Sequence, residues 1–76
     1  MALDKLTLMA CAGFARAKAG ILDDEVVGLS RLHTGDFKVP IYSINREDWD
    51  EITDLGCQAR ALRSFALTLD DLTREN

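Results

Sequence analysis

The amino-acid sequence predicts an all-α fold: a small bundle of three helices, with a short extended strap before a long C-terminal helix, assembled as a dimer. Apolar residues recur every three or four positions through most of the chain, which is typical of amphipathic helices. Glycine, proline and helix-capping residues interrupt this pattern at a few places. The 76 residues make one domain, residues 1–76. A domain this small buries only about 60% of the surface that its unfolded chain exposes.

The first predicted helix runs from Leu3 to Ala19. Its apolar and small residues recur at helical spacing: Leu3, Leu6, Ala10, Gly13, Phe14, Ala17 and Ile21. Gly20 follows as the predicted left-handed cap that ends the helix. Because Ala10, Gly13, Ala17 and Gly20 form a line with almost no side-chain bulk, we expect a neighbouring helix to approach it closely.

The second predicted helix is short, from Asp24 to Leu32. Asp23 is its predicted N-cap, and Gly35 supplies the stop. The residues that follow alternate between apolar and polar, which favours an extended strap from Phe37 to Tyr42.

The start of the third helix carries several independent signals. Asn45 is the predicted N-cap, and Asp48 stands three residues later, where a capping box places its acid. Ile44 and Trp49 occupy the two positions of a hydrophobic staple around this boundary. We therefore expect the C-terminal helix to begin at Arg46.

The third helix is predicted to run to Glu75, which gives a length of roughly 45 Å. Its apolar seam alternates steps of three and four: Ile52, Leu55, Ala59, Leu62, Ala66, Leu69 and Thr73. A compact domain of this size has a radius of gyration of only about 11 Å. The helix must therefore either break, with Thr68 as the restart, or be covered by another molecule. Leu67 lies off the seam and suggests a second apolar side, so we favour a homodimer through the C-terminal helix.

Charge and composition argue against several functions. Nine basic and thirteen acidic side chains give a net charge of −4 and no basic patch, so direct nucleic-acid binding is unfavourable. A helix-turn-helix formed by the first two helices would present Asp23, Asp24 and Glu25 to the phosphates. One histidine cannot build a histidine-rich metal site, and we predict no catalytic, cofactor or metal site. Cys11 and Cys57 are interpreted as reduced core residues of a cytoplasmic protein without signal peptide or membrane span.

The remaining candidates are surfaces for a protein partner. An acidic edge opens the third helix, and aromatic residues lie near it. The predicted partner-binding residues are Phe37, Tyr42, Trp49, Asp50, Glu51, Asp54 and Leu67. The leading hypothesis is a small non-enzymatic interaction module, an adaptor or inhibitor, by analogy with phage- or mobile-element-encoded modulators of host proteins. The alternative is a small transcriptional regulator that contacts nucleic acid directly or within a complex, and an enzyme is the third class.

Overall fold

The computed structural model describes residues 4–75, which form a hairpin of two long helices. Helix α1 spans Lys5–Thr34 and helix α2 spans Arg46–Glu75, each with 30 residues, and the connection contains a 3-10 turn at Ile41–Ser43. The hairpin is elongated, 51 × 18 × 14 Å, with a radius of gyration of 16.4 Å. The all-α class is confirmed. The prediction of a three-helix bundle is wrong, because the structure has two α-helices.

The error lies in the first half of the chain, where one continuous helix replaces the two that we predicted. Gly20 lies inside α1 and does not end it. Asp23 does not cap a second helix; its carboxylate pairs with Arg63 of α2. The adjacent residues Ala19 and Leu22 are buried against α2, so tertiary packing outweighs the roughly 1 kcal/mol that an interior glycine costs a helix. A helix-turn-helix within this region is excluded, because Lys5–Thr34 is one continuous helix.

The core is a narrow seam between the two helices, and small side chains dominate it. The start of α1 packs against the end of α2, so the helices are antiparallel. The buried apolar residues are Leu8, Ala12, Ala15, Ala19 and Leu22 on α1, and Ile52, Ala59, Ala66 and Leu69 on α2. Leu55 and Leu62 pack at its margin. Because the contacts are mainly alanines, the two backbones can lie close together.

The face of α1 that we predicted to be its core is the wrong one. The predicted stripe includes Leu6, Gly13 and Phe14, whereas the buried residues of α1 are shifted from it by two positions. Two positions correspond to about 200° around a helix of 3.6 residues per turn. The predicted stripe therefore faces away from α2. Leu3, which began it, lies outside the described residues.

The C-terminal helix has the predicted bounds and does not break near Thr68. The Thr68 hydroxyl donates to the Ser64 carbonyl oxygen at 3.2 Å, within the helix. The predicted seam of α2 is buried or half-buried, but its cover is α1 of the same chain. A single long α1 is what makes this possible, because it matches α2 in length. The need for a cover from outside, inferred from the length of α2, is thereby removed.

Two ion pairs connect the helices along one edge of the hairpin. Arg16 pairs with Asp70, and Arg63 pairs with Asp23. The hydrogen bond from Arg63 to Asp23, together with the charge of that carboxylate, raises the pKa of the Arg63 guanidinium above its ordinary value. A raised pKa stabilises the fold at every pH below the ordinary arginine value and is lost only in strong alkali. The pair of Arg63 with Asp23 therefore supports the antiparallel register throughout the neutral range.

The connection between the helices is a tight loop, and the predicted extended strap does not form. Gly35, Asp36 and Phe37 all have positive φ, at 59°, 61° and 66°. Gly35 is the left-handed C-cap, and its N–H donates to the carbonyl of Arg31. The buried Thr34 hydroxyl accepts from the Phe37 N–H at 2.9 Å, which stabilises the reversal. Chain reversal within eleven residues leaves no room for an extended run.

Candidate protein-binding site

An apolar cup opens at the end of the hairpin where the two helices are joined. It encloses about 660 Å³ and is lined by Ile41, Tyr42, Ile44, Arg46 and Trp49. Tyr42 is 89% exposed and Trp49 is 44% exposed. Large aromatic side chains with this exposure are typical anchors of protein interfaces. The cup is therefore the first candidate for a binding site.

The N-cap of α2 positions the cup. The Asn45 side-chain oxygen accepts from the Asp48 N–H at 2.9 Å, and its side-chain amide donates to the Asp48 carboxylate at 2.8 Å. These bonds confirm the predicted cap, although the acid bonds the amide side chain and not a backbone N–H. The predicted staple residues Ile44 and Trp49 line the same cup. One local motif thus starts the helix and builds the wall of the cup.

Polar contacts join the floor of this region to α1. The carboxylate of Asp48 lies 3.4 Å from Nδ1 of His33, in the last turn of α1. Within the connection, the Ser43 N–H and hydroxyl both donate to the Pro40 carbonyl, at 3.0 and 2.6 Å. The Val39 N–H donates to the Thr34 carbonyl at 3.2 Å, which holds the connection to the end of α1.

Arg46 gives the cup its electrostatic character. It is the charged member of the five lining residues, and no acid within residues 4–75 forms an ion pair with it. Its guanidinium can donate to a carboxylate or carbonyl of a bound group. The arrangement suits an apolar side chain that has a hydrogen-bond acceptor next to it.

The acidic residues predicted for partner binding face a different direction. Asp50, Glu51 and Asp54 are all exposed on the first turns of α2. At about 100° per residue, each lies 100° or more around the helix axis from Trp49. The Asp54 carboxylate accepts from the Gln58 side chain at 3.1 Å. The acids form an edge beside the cup and do not line it.

The last two predicted residues lie apart from the cup. Phe37 is 49% exposed in the connection but does not line the cup. Leu67 is 61% exposed and follows Trp49 by 18 residues, so it lies on the same side of α2 about 27 Å away. It borders a shallow depression together with Arg16 and Arg63. The structure therefore brings together two of the seven predicted residues, Tyr42 and Trp49.

Sequence reasoning missed Ile41, Ile44 and Arg46 as parts of the cup. The hydrophobic staple already indicated that Ile44 packs near Trp49, and it was interpreted only as a helix start. No periodic signal marks Ile41, because the 3-10 turn places it in the cup. The wall could be predicted from the sequence, and the remainder of the lining could not.

The cysteines, the potential metal ligands and the helix lengths indicate no further chemistry in the described residues. Cys11 and Cys57 are both free and exposed, so their interpretation as core residues is wrong. Among residues 4–75, no three potential ligands converge in a metal-binding cluster. Neither long helix in that range has an apolar stretch sufficient to cross a membrane. Comparisons with protein-family models, curated proteins and solved structures found no match to this chain.

Proposed function

We propose that this chain is a non-enzymatic interaction module of the cytosol that binds another protein through the cup at the end of the hairpin. The observation that carries the proposal is the pair Tyr42 and Trp49, exposed on the wall of an apolar cup. Tyrosine and tryptophan are enriched among the residues that contribute most to binding. A cup of this kind accepts an apolar side chain of a partner as an anchor.

The energetics show how much the cup can supply. Side-chain areas of about 150–250 Å² give roughly 280 Å² of exposed surface on Tyr42 and Trp49 together. At about 25 cal/mol per Å², its burial contributes roughly 7 kcal/mol before the cost of association. That cost is about 4–15 kcal/mol, so the cup anchors a partner and needs further contacts around it.

The acidic edge of α2 can provide such contacts. Asp50, Glu51 and Asp54 are exposed next to the cup, and acids in this position attract a partner with a basic patch. The partner would place a hydrogen-bond acceptor next to Arg46. The basic patch of the partner would face the acids, which lie 100° or more around the axis of α2 from Trp49. The acidic edge affects mainly the association rate, because exposed charges at the rim of an interface change this rate more than they change the affinity.

Affinity capture from the native host followed by mass spectrometry tests the proposal. We expect Tyr42→Ala or Trp49→Ala to lose a protein that the wild type captures. Val27→Ala is the control, since Val27 is a large apolar residue 45% exposed on α1 that does not line the cup. Capture of no protein above background, or equal capture by the cup variants, would contradict the proposal. Circular dichroism verifies that each variant is folded.

A charge reversal separates the acidic edge from the cup. With the captured partner purified, the change of Asp50, Glu51 and Asp54 to lysine should lower the association rate and its dependence on salt. The dissociation rate should change little, because these acids do not line the cup. An unchanged association rate would remove the acidic edge from the binding surface while leaving the cup in place.

A further inference from the structure

The side of α1 that faces away from α2 is a second apolar surface. We call it the outer face of α1, and it consists of Leu6, Ala10, Gly13, Phe14, Ala17 and Ile21. All six are exposed, including Phe14 at 76% and Leu6 at 73%. Asp24 and Arg31 follow on the same face, so its apolar part ends at Ile21. A helix in a two-helix hairpin needs one apolar face, and α1 has two.

The hairpin also exposes more surface than its mass requires. Its accessible surface is 5692 Å², whereas a folded monomer of 8.4 kDa is expected to expose about 4,600 Å². The surplus is about 1,100 Å². A standard interface buries about 800 Å² on each partner. The scaling describes compact proteins, so the elongated shape of the hairpin, 51 × 18 × 14 Å, contributes to this surplus, which equals in size the area that one partner covers.

Gly13 leaves the centre of this face open. As at the other four glycines, a Cβ atom built at Gly13 has nothing within 4 Å. Because glycine has no side chain, a second backbone can approach the face closely at this position.

We propose that the outer face of α1 binds a second copy of this chain, antiparallel and related by a two-fold axis. The apolar part of the face is centred between Gly13 and Phe14. Antiparallel overlap about that centre places Phe14 over the other copy's Gly13, Leu6 beside its Ile21, and Ala10 beside Ala17. Parallel overlap would stack Phe14 on Phe14 and leave two glycines facing each other. The face is thus self-complementary in the antiparallel register, as a two-fold interface requires.

The area of this face is at the lower limit for a dimer. The six residues expose roughly 500 Å² per chain, from their exposed fractions and typical side-chain areas. Two copies would bury about 1,000 Å², which is the threshold expected of a biological interface. The outward side of α2 is less suitable, because Thr53, Cys57, Arg60 and Ser64 are exposed there. The dimer through the C-terminal helix, predicted from sequence, stays untested.

The mass in solution is the first test. Light scattering after gel filtration of the full chain, from micromolar to millimolar concentration, should approach twice 8.4 kDa. Gly13→Gln should keep the mass at that of one chain, because its side chain prevents close approach but enters open space in the hairpin. Gly28→Gln is the matched control: Gly28 is also an interior glycine of α1 with open space, but it lies beyond the overlap. Phe14→Gln should also be monomeric.

Cross-linking tests the register. In a background with Cys11 and Cys57 changed to serine, Ala10→Cys combined with Ala17→Cys should form a covalent dimer on oxidation. Ala10→Cys alone should not, because two copies of position 10 lie seven residues apart, about 10 Å along the axis. A single-chain mass at all concentrations would overturn the proposal. So would a dimer that survives Gly13→Gln and Phe14→Gln, or one that cross-links through Ala10→Cys alone.

Discussion

The alanine seam predicts a strong contrast between two identical substitutions on α2. Ala59 is 1% exposed and belongs to the same buried cluster as Ala19 and Leu22, whereas Ala61 is exposed. Ala59→Leu adds three carbon atoms inside this buried cluster, and overpacking of this kind costs about 1–3 kcal/mol. Ala61→Leu makes the same change in helix propensity without a neighbour to displace. We expect its effect to stay within about 0.5 kcal/mol.

Urea denaturation followed by far-UV circular dichroism measures this contrast. With a slope of about 1 kcal/mol per molar urea, a loss of about 2 kcal/mol lowers the midpoint of Ala59→Leu by about 2 M. Both variants must be compared at one protein concentration, because a second copy bound to the folded state would add to stability. Equal midpoints for Ala59→Leu and Ala61→Leu would refute the close packing of the two helices at the seam.

Three further changes test the caps and the ion pairs. Gly35→Ala should lower the free energy of unfolding by about 1 kcal/mol, because φ is 59° there. Gly28→Ala in the helix interior should raise it by a similar amount, because alanine is the better helix former. Thermal unfolding should show a lower midpoint for the first variant and a higher midpoint for the second. Asn45→Ala should cost about 1 kcal/mol by removing the N-cap of α2, which chemical denaturation measures against wild type. A double-mutant cycle on Arg16 and Asp70 should give a coupling energy below about 1 kcal/mol, because both side chains are partly exposed. This coupling energy should decrease in molar salt. A larger coupling energy that does not change with salt would contradict the prediction.

The two proposed surfaces lie on different parts of the hairpin, so they can act together. The cup is at the connection, and the outer face occupies about the first half of α1, from Leu6 to Ile21. An antiparallel dimer centred between Gly13 and Phe14 would place its two cups at opposite ends, about 60 Å apart. Such a dimer presents two anchors for two partner molecules, which favours an adaptor over an inhibitor with one target. Two partner chains per dimer in a purified complex would support this arrangement.

Local signals in the sequence were sufficient for the second half of the chain. The start of α2 at Arg46 and its cap at Asn45 follow from capping chemistry, and its continuity as far as Glu75 follows from a seam with one consistent period. The stop at Gly35 follows from its left-handed conformation. These features depend on residues within a few positions of one another. The all-α class and the wall of the cup could therefore be predicted without a structure.

Tertiary contacts alone settled the first half. Helix α1 carries two apolar faces about 200° apart, and its periodicity does not show which one meets α2. The choice depends on α2, whose alanines accept Ala19 and Leu22 and whose arginine pairs with Asp23. Those long-range contacts also carry the helix through Gly20, a residue that local rules interpret as a stop. A sequence encodes the ends of its helices locally, whereas the partner of each helical face is determined only when the chain folds back on itself.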